Sequence, residues 1–158
     1  MNKLLMSIIL SILPISELRG GIPAAVCNGI PWYIAFMVCV ALNILIIFPI
    51  FFFLDYLHKY CMKLKFYKKI FNKYIKNARR KAAPLLEKYG MLGLAVFVGI
   101  PLPITGAYTG TIIAWFLGMN RKKAIMSIAL GVLLAGIIVT LVSVIGISSL
   151  RIFVKGIC

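Results

Sequence analysis

Glu17 and Arg19 stand two residues apart inside an otherwise apolar run from Leu4 to Ile30. A charged side chain at the centre of a bilayer costs about 3 kcal/mol even on a mild scale, and intramembrane ionisable groups mark functional sites by default. Burial favours the neutral form of a carboxyl, and a nearby guanidinium favours the charged form. A carboxylate held between those two influences could load and release a proton, so Glu17 is the candidate coupling group for a transport cycle. Its structural alternative is an ion pair that satisfies a turn. Arg19 could hold a phosphate or carboxylate headgroup through its forked donors, or could only neutralise Glu17. Thr105, Thr109 and Thr111 offer hydroxyls in the second half of the chain, where hydrogen bonding back to their own helix is the favoured role. Asn43 is a lone amide in apolar surroundings, placed to bond a neighbouring turn.

Other chemistry is poorly represented. His58 is the one histidine, and Cys27, Cys39, Cys61 and Cys158 include no C-x-x-C pair. That spacing gives no metal site and no cofactor site. No acid–base–nucleophile set is visible, so an enzyme is not expected. Cys27 and Cys39 read as small buried hydrophobes, and Asp55 with His58 as solvated groups at a membrane interface.

The elements that must carry these residues follow from hydropathy. The chain has 158 residues, 63% of them hydrophobic, far from the composition of a soluble domain. An integral membrane protein of one domain is expected. The Met1-Asn2-Lys3 start followed by Leu4–Leu13 mimics a signal peptide but lacks small cleavage-site residues. Leu4–Pro14 is too short to span, since about 20 residues are needed. Residues 1–30 therefore read as a re-entrant hairpin whose turn is made by Gly20, Gly21 and Pro23. A kinked spanning helix is the alternative. Residues 31–57, opened by Pro31-Trp32-Tyr33, form the first transmembrane helix, interrupted only by Asn43 and Pro49. Residues 58–90 form a basic connector. Within it Lys59–Lys81 alternates an apolar stripe (Tyr60, Leu64, Tyr67, Phe71, Tyr74, Ile75, Ala78) with a basic face, which predicts an amphipathic helix in the headgroup plane. Pro84 is expected to end it or to open a short helix. Residues 91–118, broken by Pro101, Pro103 and Gly106, read as a second re-entrant hairpin. The spacing of Gly106 and Gly110 permits close helix contact there. Residues 121–150 form the second transmembrane helix.

The fold class expected is thus all-α integral membrane, two inverted repeats of hairpin plus transmembrane helix joined by the basic helix. Gly/Pro-broken segments at matching places in two halves point to a transporter site near the midplane. The net charge is +15, but eleven cations lie between Lys59 and Lys88, flanked by membrane segments. Anionic headgroups are the expected partner of Lys59–Lys81 rather than nucleic acid. The positive-inside rule places the connector in the cytoplasm, and the plasma membrane is the expected location. It does not separate the hairpin topology from four full spans, because both put fourteen cations inside and three outside. The Gly/Pro breaks and the Glu17–Arg19 pair favour hairpins.

Glu17-Leu18-Arg19-Gly20-Gly21-Ile22-Pro23, the Asn43…Pro49 helix and Pro101-Leu102-Pro103-Ile104-Thr105-Gly106-Ala107-Tyr108-Thr109-Gly110 together resemble the small multidrug export protein family, which is distantly similar to the DedA/VTT superfamily. The resemblance covers nearly the whole chain and implies two facing re-entrant hairpins and a transport role. DedA-like relatives are linked to lipid carriers and lipid scrambling. Their second hairpin carries arginines, whereas Gly99 stands where the first would fall here. The function expected is a small transporter, flippase or scramblase of an amphiphilic lipid or lipid-carrier substrate, coupled to protons or sodium and working as a homo-oligomer. Multidrug export is the alternative, and a non-transporting membrane scaffold is the alternative of another class.

Overall fold

The computed structural model describes residues 3–14, 16–61, 63, 65–100 and 105–153. Among these there is no strand. Helices α1 (Lys3–Ile12) and α2 (Glu17–Cys27) are followed by a long apolar stretch made of α3 (Trp32–Leu45), α4 (Ile47–Phe52) and a π-helical turn (Phe53–Leu57). The short α5 (His58–Cys61) leads to α6 (Lys65–Gly99), then α7 (Ala107–Phe116) and α8 (Arg121–Phe153).

Two stretches, Trp32–Leu57 and Arg121–Gly146, are long and apolar enough to cross a membrane. At 1.5 Å per residue, α1, α2 and α7 are each about half the length of a bilayer core. The piece of α6 beyond Gly90 is equally short. Gly90 breaks α6 with φ +54 and ψ −119, a left-handed conformation that glycine adopts without a Cβ clash.

Packing follows the small residues. On α8, Ala124, Ile128, Val132, Ala135 and Val139 recur at three and four residues and are buried. Met126, Leu130, Leu134, Leu141 and Ile145 lie on the outside. A helix that packs inward partly through small residues and turns Leu, Met and Ile side chains outward fits lipid surroundings. The α8 backbone approaches α6 closely at Gly131, where an added Cβ would lie 2.7 Å from Val98 Cβ. Helix α2 buries Glu17, Leu18, Gly21, Ile22 and Ala25 as one stripe and packs between α1, α3 and α8.

Three expectations need correction. The first break lies at Leu13–Ser16, and Gly20, Gly21 and Pro23 sit inside α2 rather than in a turn. Pro14 ends α1, because the residue before a proline leaves helical geometry. Gly21 serves close packing: a Cβ there would run into Ser11 and come within 3.1 Å of Cys39 Sγ. Pro84 does not end the basic helix, which continues to Gly90. Arg80 and Pro84 are both exposed, so the carbonyl that Pro84 cannot bond faces outward. Cys27 is held in a disulfide rather than free. Pro101 and Pro103 lie outside the described residues.

The basic helix is amphipathic as built. Lys69, Lys73, Lys76 and Arg80 are exposed, Ile75 and Ala78 are buried, and Phe71 and Tyr74 are half-buried on the same side. The start of α8 returns to the end of the first long stretch, where Arg121 forms an ion pair with Asp55.

Candidate functional site

The two breaks in the chain meet. Glu17 opens α2 with φ +47, the one non-glycine positive φ among the described residues. That left-handed conformation costs a non-glycine residue about 1–2 kcal/mol, and such strain concentrates at functional sites. It turns the carboxylate toward the start of α7, where Tyr108 N–H lies 3.4 Å from Oε1 and Ala107 N–H also reaches it. The first N–H groups of a helix have no partner within the helix, and the dipole there favours an anion. Glu17 thus caps a helix 90 residues further along the chain.

Gly106 makes that approach possible. It has φ +152, and an added Cβ would fall on the Glu17 carboxylate. Arg19, two residues further along α2, donates to the Thr105 carbonyl and, at 2.9 Å, to Thr105 Oγ1. It also lies close enough to Glu17 for the two charges to act on each other. Thr105 Oγ1 donates in turn to the Ile100 carbonyl at 2.7 Å. The Tyr108 hydroxyl donates to the Ile12 carbonyl, one of the last carbonyls of α1, which a helix leaves without intrahelical donors.

Glu17 and Thr105 are buried, and Arg19 is half-buried. Glu17, Arg19, Gly106, Val98 and Val132 enclose a cavity of about 10 Å³, room for a single water. The site is closed in this conformation.

The remaining candidates surround it. Asn43 is fully buried and donates to the Ser11 carbonyl at 3.2 Å and the Cys39 carbonyl at 2.9 Å. Among the described residues its Oδ1 has no partner. It therefore fastens the first long helix to the last turn of α1. Thr109 hydrogen-bonds the Tyr74 hydroxyl of the basic helix, and Thr111 bonds back to the Ala107 carbonyl at 2.6 Å. A Cβ at Gly110 would run into Val98, so α7 and α6 touch closely there.

Sequence reasoning did not single out Tyr74, Tyr108, Trp115 or Ser11. The positions of Tyr74 in the apolar stripe and Tyr108 within the second motif were the available signals. Burial pushes the Tyr74 hydroxyl above the usual tyrosine range, so it stays a protonated partner for Thr109.

Asp55 and His58 are not simply solvated. Asp55 accepts from Trp115 Nε1 at 2.9 Å and pairs with Arg121. His58 is buried, with ring centroids 4.3 Å from Phe71 and 5.2 Å from Trp115. Burial lowers its pKa from the ordinary histidine value. No group of three His, Cys, Asp or Glu that could hold a metal occurs among the described residues.

Residues 17–138 match the family described as "Putative small multi-drug export protein". The chain belongs to that family. It is a membrane protein, and the matched region begins at Glu17, just after the first break, and contains α2, the second break, the first long apolar helix and most of the second. No curated protein matches the chain, and no solved structure does.

Proposed function

We propose that this member of the small multi-drug export family moves an amphiphilic cargo across the membrane through the junction of its two breaks. One observation carries the reading: an acid and a guanidinium from the first turn of α2, just past the first break, close onto Thr105 and the α7 N-terminus at the second. Ionisable groups at that depth are costly and need a use. Opening the junction would expose both charges, together with a helix end that favours anions.

Re-entrant hairpins support the same reading. Helices α1, α2, α7 and the end of α6 are too short to span. The Asp55–Arg121 pair puts the start of the second long helix beside the end of the first. Four full spans would set those ends on opposite faces. The basic connector and Arg121–Lys123 then share one side, which the positive-inside rule makes cytoplasmic, in the plasma membrane. Each half crosses once in opposite directions, the plan of an inverted repeat.

The family description fits export of small lipophilic compounds at least as well as lipid movement. Movement of a lipid or lipid carrier has one observation of its own. An apolar groove of about 340 Å³, lined by Ile46, Ile50, Phe53, Phe71 and Tyr108, opens beside the junction and suits a hydrocarbon chain. Coupling to a proton would run through Glu17, and the small enclosed volume favours a homo-oligomer.

The test is reconstitution in proteoliposomes, comparing wild type with Glu17→Gln for efflux of a lipophilic cation and for translocation of labelled polyprenyl phosphate and phospholipid. Transport of either cargo that falls at least tenfold in the variant, about 1.4 kcal/mol, supports the site and names the cargo class. A variant that transports normally with unchanged pH dependence removes Glu17 from the mechanism. Well-folded wild type that moves neither cargo points to a scaffold.

A further inference from the structure

A second groove, separate from the Glu17 junction, runs along the outside of the first long helix. It has a volume of about 640 Å³ and is lined by Phe48, Phe51, Phe52 and Tyr56, ending at Asp55 and Arg121. Its walls are almost entirely apolar, and its one end is charged. We propose that this groove is a binding site for an anionic phospholipid of the surrounding bilayer. An acyl chain lies along Phe48, Phe52 and Tyr56, and the phosphate sits on Arg121. This proposal does not depend on the nature of the cargo.

Charge complementarity selects the occupant. Arg121 has a side chain 60% exposed, and its guanidinium is held 5.7 Å from the Phe51 ring. Only Nη2 is engaged, by Asp55. A guanidinium has five donors in a fork that matches phosphate oxygens, and the others have no protein acceptor among the described residues. The Asp55 carboxylate is offset by Trp115 N–H as well as by Arg121, so its repulsion of a phosphate is blunted. Lys122 and Lys123 follow directly, at the start of a 33-residue helix. Cations at a helix N-terminus oppose the dipole, and an anion there relieves all three. A zwitterionic lipid would fill the apolar part equally well but bring no net charge to the basic end.

Trp115 reports on the site, because its indole bonds the Asp55 that ends the groove. Trp32 is the only other tryptophan. In a Trp32→Phe background, Trp115 fluorescence is followed in phosphatidylcholine vesicles carrying a minority of dibrominated phosphatidylglycerol or of dibrominated phosphatidylcholine. One cation facing an anionic headgroup is worth about fivefold in partitioning, so the brominated anionic lipid is expected to quench at about fivefold lower mole fraction. Arg121→Gln should abolish the preference. A connector variant with Lys69, Lys73 and Lys76 each changed to Gln should keep it. Asp55→Asn keeps an acceptor for Trp115 and frees the whole guanidinium, so the preference should rise, a gain that misfolding could not produce. Equal quenching by both lipids would mean that the groove takes any acyl chain and overturns the proposal. So would a preference that survives Arg121→Gln and disappears in the connector variant, or one that does not rise in Asp55→Asn.

Discussion

Among the described residues a carboxylate lies near a guanidinium in two places, Glu17 with Arg19 and Asp55 with Arg121, and the surroundings of the two pairs differ. Asp55 and Arg121 meet directly, with the arginine largely exposed. Such a pair contributes about 0–1 kcal/mol and weakens in salt. Glu17 and Arg19 each reach across to the other half of the molecule, the acid to the N–H groups of α7 and the base to Thr105. Their charges are met by backbone dipoles as well as by each other. Breaking such an arrangement strands a buried polar group, which costs far more than losing a surface pair. The outer pair therefore marks where two helix ends lie side by side. The inner one joins the start of α2 to the second break.

The sharpest way to break this contrast is at Gly106. In Gly106→Ala the new methyl falls on the Glu17 carboxylate at a positive φ. Displacing the carboxylate and straining the backbone together should cost about 3 kcal/mol and remove transport. Gly118 also has a positive φ, +63, but open space around it. Gly118→Ala should cost only the backbone share, about 1 kcal/mol. Thermal melting of the two variants in detergent checks this, and equal losses would mean that Glu17 is not seated against Gly106. Arg19→Gln should come next, losing about 2 kcal/mol as the Thr105 carbonyl and Glu17 lose their partner. The same change at Arg121 should cost about 0.5 kcal/mol and should cost less still in high salt. Equal losses at the two arginines would erase the distinction between the pairs.

Which of these residues mattered was legible in the sequence to very different degrees. A charge in an apolar run is visible without a structure, so Glu17 and Arg19 stood out. The long apolar helices and the stripe through Phe71, Tyr74, Ile75 and Ala78 followed from periodicity. The turn was misplaced because Gly-Gly-Pro is a strong turn signal in water. In apolar surroundings the backbone has no water to bond, so α2 keeps its helix through Gly20, Gly21 and Pro23, and the glycines admit close neighbours instead. What spacing could not supply was the pairing of residues 86 and 91 positions apart, Arg19 with Thr105 and Glu17 with Tyr108. Neither motif contains information about the other's geometry. For the same reason Asp55 and His58 read as solvated, since their partners Trp115, Phe71 and Arg121 come from three other elements.

The smallest effect belongs to His58, beside the outer pair. It lies just past the end of the first long apolar helix, packed between Phe71 and Trp115. Burial favours its neutral form, so its pKa in the folded protein is below the ordinary histidine value of about 6.5. Above pH 6.5 the imidazole is neutral whether the chain is folded or not, and the folded state loses nothing. As the pH falls below 6.5 the unfolded chain takes up a proton that the folded one resists, and stability declines until the folded pKa is passed. The melting midpoint should therefore drop modestly between pH 7 and pH 5. His58→Phe keeps the ring stack without the titration and should flatten that part of the profile. Because the Glu17 junction does not touch His58, transport at pH 7 should be little changed in this variant. A large transport defect there would mean that the outer cluster, and not only the inner one, governs opening.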